Sequence, residues 1–286
     1  MTTPLLFNAT AGRGKLAERL RTIVAGRAVE LVPTNDPAEM RRLCGELAAT
    51  NERLLVAGGD GTVHHALRGL NGCSCVLGLV PIGTGNDFAA VLGLSPDPEE
   101  ALGVALQAPG KPVDLGRAGD TPFGTIAGVG IVADVLTYLE SFTRTYRGNW
   151  VYPWAVVRTV LRYRPLAVTI ESDSGRYSGP AMIAAGANTP RFGGGMRAAP
   201  EASVHDGALD VVILTGRSKL ALIRLLPRVY RGTHLSDPAC TFFRTREFRV
   251  VSTPGATVYA DGEALPVETT TEATFRAVPD AVRIAV

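Results

Sequence analysis

The sequence predicts an α/β chain in two parts, a parallel sheet flanked by helices followed by an antiparallel β domain. Three observations predict it. Through roughly the first 115 residues, short apolar strands alternate with helical segments. Two glycine-rich acidic turns, Gly58-Gly59-Asp60-Gly61-Thr62 and Gly83-Thr84-Gly85-Asn86-Asp87, each follow an apolar run that reads as a buried strand. Past Lys111-Pro112-Val113-Asp114-Leu115-Gly116 the pattern turns into short Val/Ile/Thr-rich runs divided by Gly and Pro.

Taken in order, Leu5 to Asn8 reads as strand, Lys15 to Val24 as helix and Val29 to Val32 as strand. Ala38 to Ala49 follows as helix, Leu54 to Ala57 as strand, Val63 to Leu70 as helix and Val76 to Val80 as strand. Such alternation implies right-handed βαβ units with helices on both faces of a parallel sheet. In the second part, Leu166 to Glu171, Ala181 to Ala187, Leu209 to Thr215, Glu247 to Ser252, Thr257 to Ala260 and Ala273 to Ala277 read as strands. Trp150 to Tyr163 and Lys219 to Tyr230 interrupt them as helices. The expected boundaries are 1–117 and 118–280, and whether the C-terminal strand, 281–286, returns to the first domain stays open at this stage.

With 286 residues, 46% hydrophobic and 20% charged, the chain has room for two domains of about 100–150 residues each. A net charge of +2 with no run of like charge argues against a nucleic-acid partner. Cys44, Cys73, Cys75 and Cys240 lack paired zinc-type spacing and are expected as free thiols in a reducing cytoplasm. No export signal is read at the N-terminus, and no run reaches about 18 uncharged apolar residues. Any membrane contact is therefore expected to be peripheral.

Glycine turns at the ends of parallel strands stand where open α/β sheets bind ligands, and bare backbone N–H groups there can approach phosphate oxygens. An Asp among those groups would repel a lone anion but suits a magnesium ion, so a polyphosphate with Mg2+ satisfies both residue types. A purely structural turn is the alternative for either motif alone. Two such turns at neighbouring strand ends would line one crevice.

Further blocks appear in order: Asn8 with Gly12; Gly128-Val129-Gly130; Gly193-Gly194-Gly195-Met196 with Pro200 and Ala202; Asp206-Gly207-Ala208-Leu209-Asp210; and Asp261-Gly262-Glu263. Together with the two glycine turns they resemble the diacylglycerol kinase catalytic family, which includes bacterial lipid kinases and sphingosine kinases. The resemblance spans about 255 residues. It implies a Rossmann-like nucleotide domain, a C-terminal antiparallel β-sandwich and an active site in the interdomain cleft, with ATP and Mg2+ as cofactors. Carried over position by position, it implies that Asn8, Gly12, Thr34, Gly58, Gly59, Asp60, Gly61, Thr62, Val63, His64, Gly83, Thr84, Gly85, Asn86 and Asp87 hold ATP. It implies Asp261 as the base that accepts the lipid hydroxyl proton and Glu263 as its support. Asp206, with the carbonyls of Ser203 and Ala208, matches a structural magnesium site. Read from the residues alone, Asp261-Gly262 is equally a type I′ hairpin turn, and both readings can hold together.

The chain departs from the family pattern in places. His64 and His65 stand where Asn-Glu is common, a His at the first of these resembling the sphingosine kinases. Asn8-Ala9 lacks the usual proline, and Ile131-Val132 replaces Phe-Asp after Gly130, with Asp134 two residues on. Adjacent histidines on a helix point about 100° apart, which disfavours a shared metal ion. Asp114 reads either as a crevice residue or as a turn former.

From Ser141 to Ile170 the chain carries Arg144, Arg147, Arg158, Arg162 and Arg164 and no acid, interleaved with Tyr146, Trp150, Tyr152, Trp154 and Tyr163. That composition suits the headgroup zone of an anionic bilayer, though ordinary surface helices share it. A second acid-free stretch, Val211 to Ser236, is the weaker candidate, with Arg217, Lys219, Arg224, Arg228 and Arg231. The expected activity is transfer of the γ-phosphoryl group of ATP to a membrane lipid hydroxyl, diacylglycerol to phosphatidate. A non-catalytic nucleotide- or lipid-binding regulator and a soluble-substrate kinase of NAD kinase type are the alternatives. The expected setting is the cytoplasm, at the inner face of the membrane, with a homodimer left open.

Overall fold

The computed structural model describes residues 2–11, 15–70, 72–142, 151–215, 219–265 and 270–286. They form two compact units, one of 1–115, 204–206 and 279–286, the other of 116–203 and 207–278. Among the described residues no helix is long and apolar enough to cross a membrane.

The first unit is built on β1 (Thr3–Asn8), β2 (Val29–Thr34), β3 (Arg53–Gly58) and β4 (Val76–Pro81), interleaved with α1 (Lys15–Ile23), α2 (Pro37–Thr50) and α3 (Asp60–Gly69). All neighbouring pairs are parallel, in the order β2-β1-β3-β4, and the end of the last strand adds beside β4 through Arg283 and Ile284. Successive side chains of a strand point to opposite faces, so each apolar run feeds two cores. Leu6, Leu54, Val56 and Leu79 pack with Met40 and Cys44 of α2 and Leu67 of α3. Leu5, Leu55, Ala57 and Val80 pack on the other face with Leu16 and Leu20 of α1. Two further helices follow β4, the short α4 (Asp87–Val91) and α5 (Pro98–Gln107). The Asp97 side chain caps α5 by accepting from the N–H groups of Glu99 and Glu100, with Pro98 in the first turn.

The chain leaves the first unit along β5 (Gly110–Ala118). Asp114 is buried, and its Oδ1 accepts from the Asp280 N–H at 2.9 Å. It thereby ties β5 to the returning C-terminal segment.

The second unit contains β6 (Thr121–Phe123), β7 (Ile126–Gly130), α6 (Ile131–Phe142), α7 (Val151–Arg162), β8 (Leu166–Glu171), β9 (Arg176–Ala187) and β10 (Leu209–Thr215). After these come α8 (Lys219–Arg231), a 3-10 turn at His234–Ser236, β11 (Cys240–Thr245), β12 (Glu247–Ala256), β13 (Val258–Ala260), β14 (Glu263–Ala264) and the start of β15 (Thr270–Ala285), whose end from Pro279 belongs to the first unit. Its strand pairings are antiparallel. The long β9 is the hub: its first half pairs with β8, its second with β7 and β10. Phe248 and Phe275 stack at 4.8 Å between ring centroids within the core. Gly128-Val129-Gly130 lies inside β7. A Cβ at either glycine would stand 2.3 Å from a carbonyl oxygen of β9, so only glycine allows this pairing. α6 was not among the expected helices.

Candidate active site

Both glycine turns sit at the C-terminal ends of parallel strands, the first after β3 and the second after β4. They touch backbone to backbone. A Cβ on Gly83 would lie 2.4 Å from the Cα of Gly59, a separation no side chain tolerates. The Asn86 side chain shapes the second turn: its Oδ1 accepts from the Gly83 N–H at 3.0 Å and its Nδ2 donates to the Gly83 carbonyl at 2.9 Å. Asn86 itself takes a left-handed φ of 54°. Asp60 joins the two turns, its Oδ1 accepting from the Phe88 N–H at 3.2 Å. Burial raises the Asp60 pKa above the usual carboxylate range, opposed by that N–H.

The donors suit an anion. No side chain caps α3, so its first-turn N–H groups have no intrahelical partner, and the positive end of its dipole faces the turn. Beside it is a hollow of about 280 Å3 lined by Asn8, Thr34, Asp36, Gly59, Thr62 and His65, among others. A Cβ on Gly61, which also lines it, would meet nothing within 4 Å. A second hollow, of about 430 Å3, is lined by Gly83, Thr84, Gly85 and Asn86 together with Arg19 of α1. These bare backbones and open hollows fit a nucleotide triphosphate.

The individual residues divide by what they already do. Asn8 Oδ1 accepts from both the N–H and the hydroxyl of Thr10. Thr34 is buried and its hydroxyl donates to the Phe7 carbonyl at 3.1 Å, joining β2 to β1 at the hollow's edge. Val63 points into the core and its N–H donates to the Gly59 carbonyl, so it fixes the turn rather than facing the hollow. His64, His65 and Asp87 are buried. Gly12 lies outside the described residues. Sequence reasoning missed Asp36, whose side chain caps α2 by accepting from the N–H groups of Ala38 and Glu39, and Arg41, whose Nη1 stands 3.2 Å from His65 Nδ1. It missed Arg19 as well; nothing in the α1 sequence distinguishes that side chain from a solvated arginine.

In the second unit, Asp261-Gly262 is the two-residue turn of the β13–β14 hairpin, with φ values of 48° and 84°. The Asp261 carboxylate also reaches far along the chain. It accepts from the Gly124 N–H at 2.6 Å, the Thr125 N–H at 2.7 Å, the Thr125 hydroxyl at 2.5 Å and the Ile126 N–H at 3.2 Å. Together these donors fix the direction of the carboxylate. Glu263 is half-buried, paired across the hairpin with Ala260.

Ser203 and Ala208 belong to the second unit, whereas Val204 to Asp206 are counted with the first. Asp210, in the same sequence block, is buried and paired with Arg244 at 2.6 Å, a structural ion pair. His234 Nε2 lies 3.0 Å from the Ala198 carbonyl, and burial lowers its pKa.

Within the second unit a cavity of about 150 Å3 is walled almost wholly by apolar side chains, among them Val132, Met182, Leu222, Val229 and Tyr259. Val132, where the family pattern has an acid, is therefore part of an apolar wall. Ile126 serves both features: its side chain lines the cavity and its N–H holds Asp261.

Residues 3–118 match the diacylglycerol kinase catalytic domain, and residues 125–286 match the YegS C-terminal NAD kinase beta sandwich-like domain. A diacylglycerol kinase of Mycobacterium tuberculosis (strain ATCC 25618 / H37Rv) is 30% identical over 295 residues, covering 98% of this chain and 93% of its own. One from Bacillus subtilis (strain 168) is 27% identical, covering 91% and 88%. The crystal structure of a diacylglycerol kinase from Bacillus anthracis str. Sterne superposes with a TM-score of 0.74 at 21% identity, covering 99% of this chain and 96% of that one, a likeness of fold.

Proposed function

Because the chain belongs to the diacylglycerol kinase family of lipid kinases, we propose that it transfers the γ-phosphoryl group of ATP to the hydroxyl of diacylglycerol, giving phosphatidate. The observation that carries the lipid acceptor is the apolar cavity beside Asp261, joined to it through Ile126. A cavity so poor in polar groups suits an acyl chain and offers little to a dinucleotide, which disfavours an NAD kinase reading.

Bound ATP with Mg2+ supplies the phosphoryl group and neutralises its charge. The chain's own residues position the reactants, which is most of what phosphoryl transfer requires. The first-turn N–H groups of α3 and the Gly83–Asn86 backbone would hold the phosphate oxygens. Asn8, Thr34 and Thr62 line the hollow that would take the nucleotide, and Asp60 would hold the metal ion. Asp261 accepts the lipid hydroxyl proton, and Glu263 supports it. The loose transition state of phosphoryl transfer asks little base strength of that carboxylate before the proton leaves. Ser203, Asp206 and Ala208 are proposed as a structural magnesium site. The enzyme works peripherally at the cytoplasmic face of the membrane.

The test is purified protein with labelled ATP, Mg2+ and a lipid panel in mixed micelles. Labelled phosphatidate is expected. Transfer to NAD and to no lipid would overturn the proposal, and transfer to nothing would favour a binding protein without catalysis.

A further inference from the structure

We propose that the outer face of α7 is the surface by which this protein docks on an anionic lipid bilayer. The inference rests on the lipid kinase reading and names the partner surface that reading requires. Trp154 and Leu161 are 50% and 49% exposed, the two most exposed of the large apolar side chains described. They stand seven residues apart, two helical turns, and so share one face of α7. Arg158 and Arg162 flank that face, and Arg164 follows the helix end. On the opposite side Ala155, Thr159 and Val160 are buried. The helix is thus amphipathic twice over, apolar inside and mixed aromatic and cationic outside.

The charge pattern selects the occupant. From Val151 to Ile170 there is no acid. Arg158, Arg162 and Arg164 line one hollow with Tyr138 and Thr159, facing a single carboxyl, Asp134. The Arg158 guanidinium lies 4.0 Å from the Tyr138 ring centre, which holds it at the surface. An exposed tryptophan amid arginines suits the boundary between headgroups and acyl chains. A second protein would have to supply both an apolar pocket and matching acids, whereas an anionic bilayer supplies both at once.

Position supports the same occupant. Val160 of α7 and Leu222, Leu225 and Val229 of α8 line the apolar cavity. The α7 helix that would rest on the bilayer is therefore also a wall of the proposed acyl site, giving a lipid a short path from membrane to cavity. α8 contains no acid either, and its Tyr230 is 46% exposed.

The test is co-sedimentation of the full chain with extruded vesicles of phosphatidylcholine, with and without an equal share of phosphatidylglycerol. The wild type is expected to bind the anionic vesicles, more weakly at high salt, and to leave pure phosphatidylcholine largely unbound. Trp154→Ala with Leu161→Ala should weaken partitioning about 100-fold, roughly tenfold per side chain. Arg162→Gln with Arg164→Gln should weaken it about 25-fold, roughly fivefold per charge. All four sites are exposed, and unchanged thermal midpoints confirm folding. Phosphorylation of a short-chain diacylglycerol in detergent micelles should persist in these variants. Variants that bind vesicles like the wild type would overturn the proposal, as would a wild type that phosphorylates micellar diacylglycerol but ignores anionic vesicles. A dimer that Trp154→Ala dissolves, with vesicle binding unaffected, would assign the face to a second copy instead. Vesicle binding without any lipid phosphorylation would uphold docking while removing the kinase reading on which its purpose rests.

Discussion

Gly59 and Gly83 stand so close that a single methyl group on Gly83 would fall 2.4 Å from the Cα of Gly59 and 2.7 Å from Asn86 Oδ1. This contact makes one site of two turns 24 residues apart in the chain. Gly83→Ala must push the turns apart or distort the Asn86 loop. We expect a loss of about 1–3 kcal/mol of stability, the usual range for overpacking, and at least a tenfold loss of ATP affinity. Urea unfolding and nucleotide titration read the two effects. Unchanged values in both would mean that the turns do not need to meet.

Gly61 gives the opposite expectation. It lies in the first turn of α3 and an added Cβ there meets nothing within 4 Å. Gly61→Ala should raise stability by roughly 0.5–1 kcal/mol, the helix cost of glycine. If phosphate oxygens occupy the open space, the same methyl should lower ATP affinity about tenfold or more. A more stable variant with undiminished affinity would remove Gly61 from the nucleotide site.

Asp60 predicts a pH dependence. Burial raises its folded pKa, so over a window opening near pH 4 the folded state holds a proton that the unfolded state has released. Its contribution to stability is full below that window and falls as the pH rises through the raised value. Asp60→Asn keeps an acceptor for the Phe88 N–H while abolishing the titration. Thermal scans from about pH 4 to 8 should show a flatter profile and a higher midpoint at neutral pH, together with lost kinase activity. A profile parallel to the wild type would show that Asp60 is not a cost to the fold.

How much of this was legible in the sequence depended on range. β8 and β10 were read to the residue; the alternation of buried and exposed positions in β8 is a local signal. α6 was missed because Ile131-Val132-Ala133-Asp134-Val135-Leu136 is β-branched and apolar at almost every position, and its burial alternates along the first residues as a strand's would. α5 was missed despite a full start signal, Asp97 before Pro98-Glu99-Glu100. In the site, the glycine turns announced themselves, but the pairing of Gly59 with Gly83 did not. Arg41 beside His65 and Asp114 holding Asp280 were equally silent, being products of tertiary packing.

The Asp261 carboxylate shows why such long-range contacts change the experiment. From sequence, Asp261→Asn looks like a clean removal of a base. In the structure that carboxylate accepts from Gly124, Thr125 and Ile126, some 135 to 137 residues away. An amide NH2 would turn a donor toward one of those N–H groups, at a cost of about 1–3 kcal/mol. Thr125→Ala removes one hydroxyl donor and keeps the carboxylate, costing about 1 kcal/mol. The two variants separate structure from chemistry when turnover is measured at a temperature where both are fully folded by circular dichroism. Asp261→Asn should remain down by about 100-fold or more, the range for losing a general base, while Thr125→Ala recovers most of its rate. If Asp261→Asn recovers alongside Thr125→Ala, the aspartate is a tie between β13 and the segment before β7, and the proton must leave by another route.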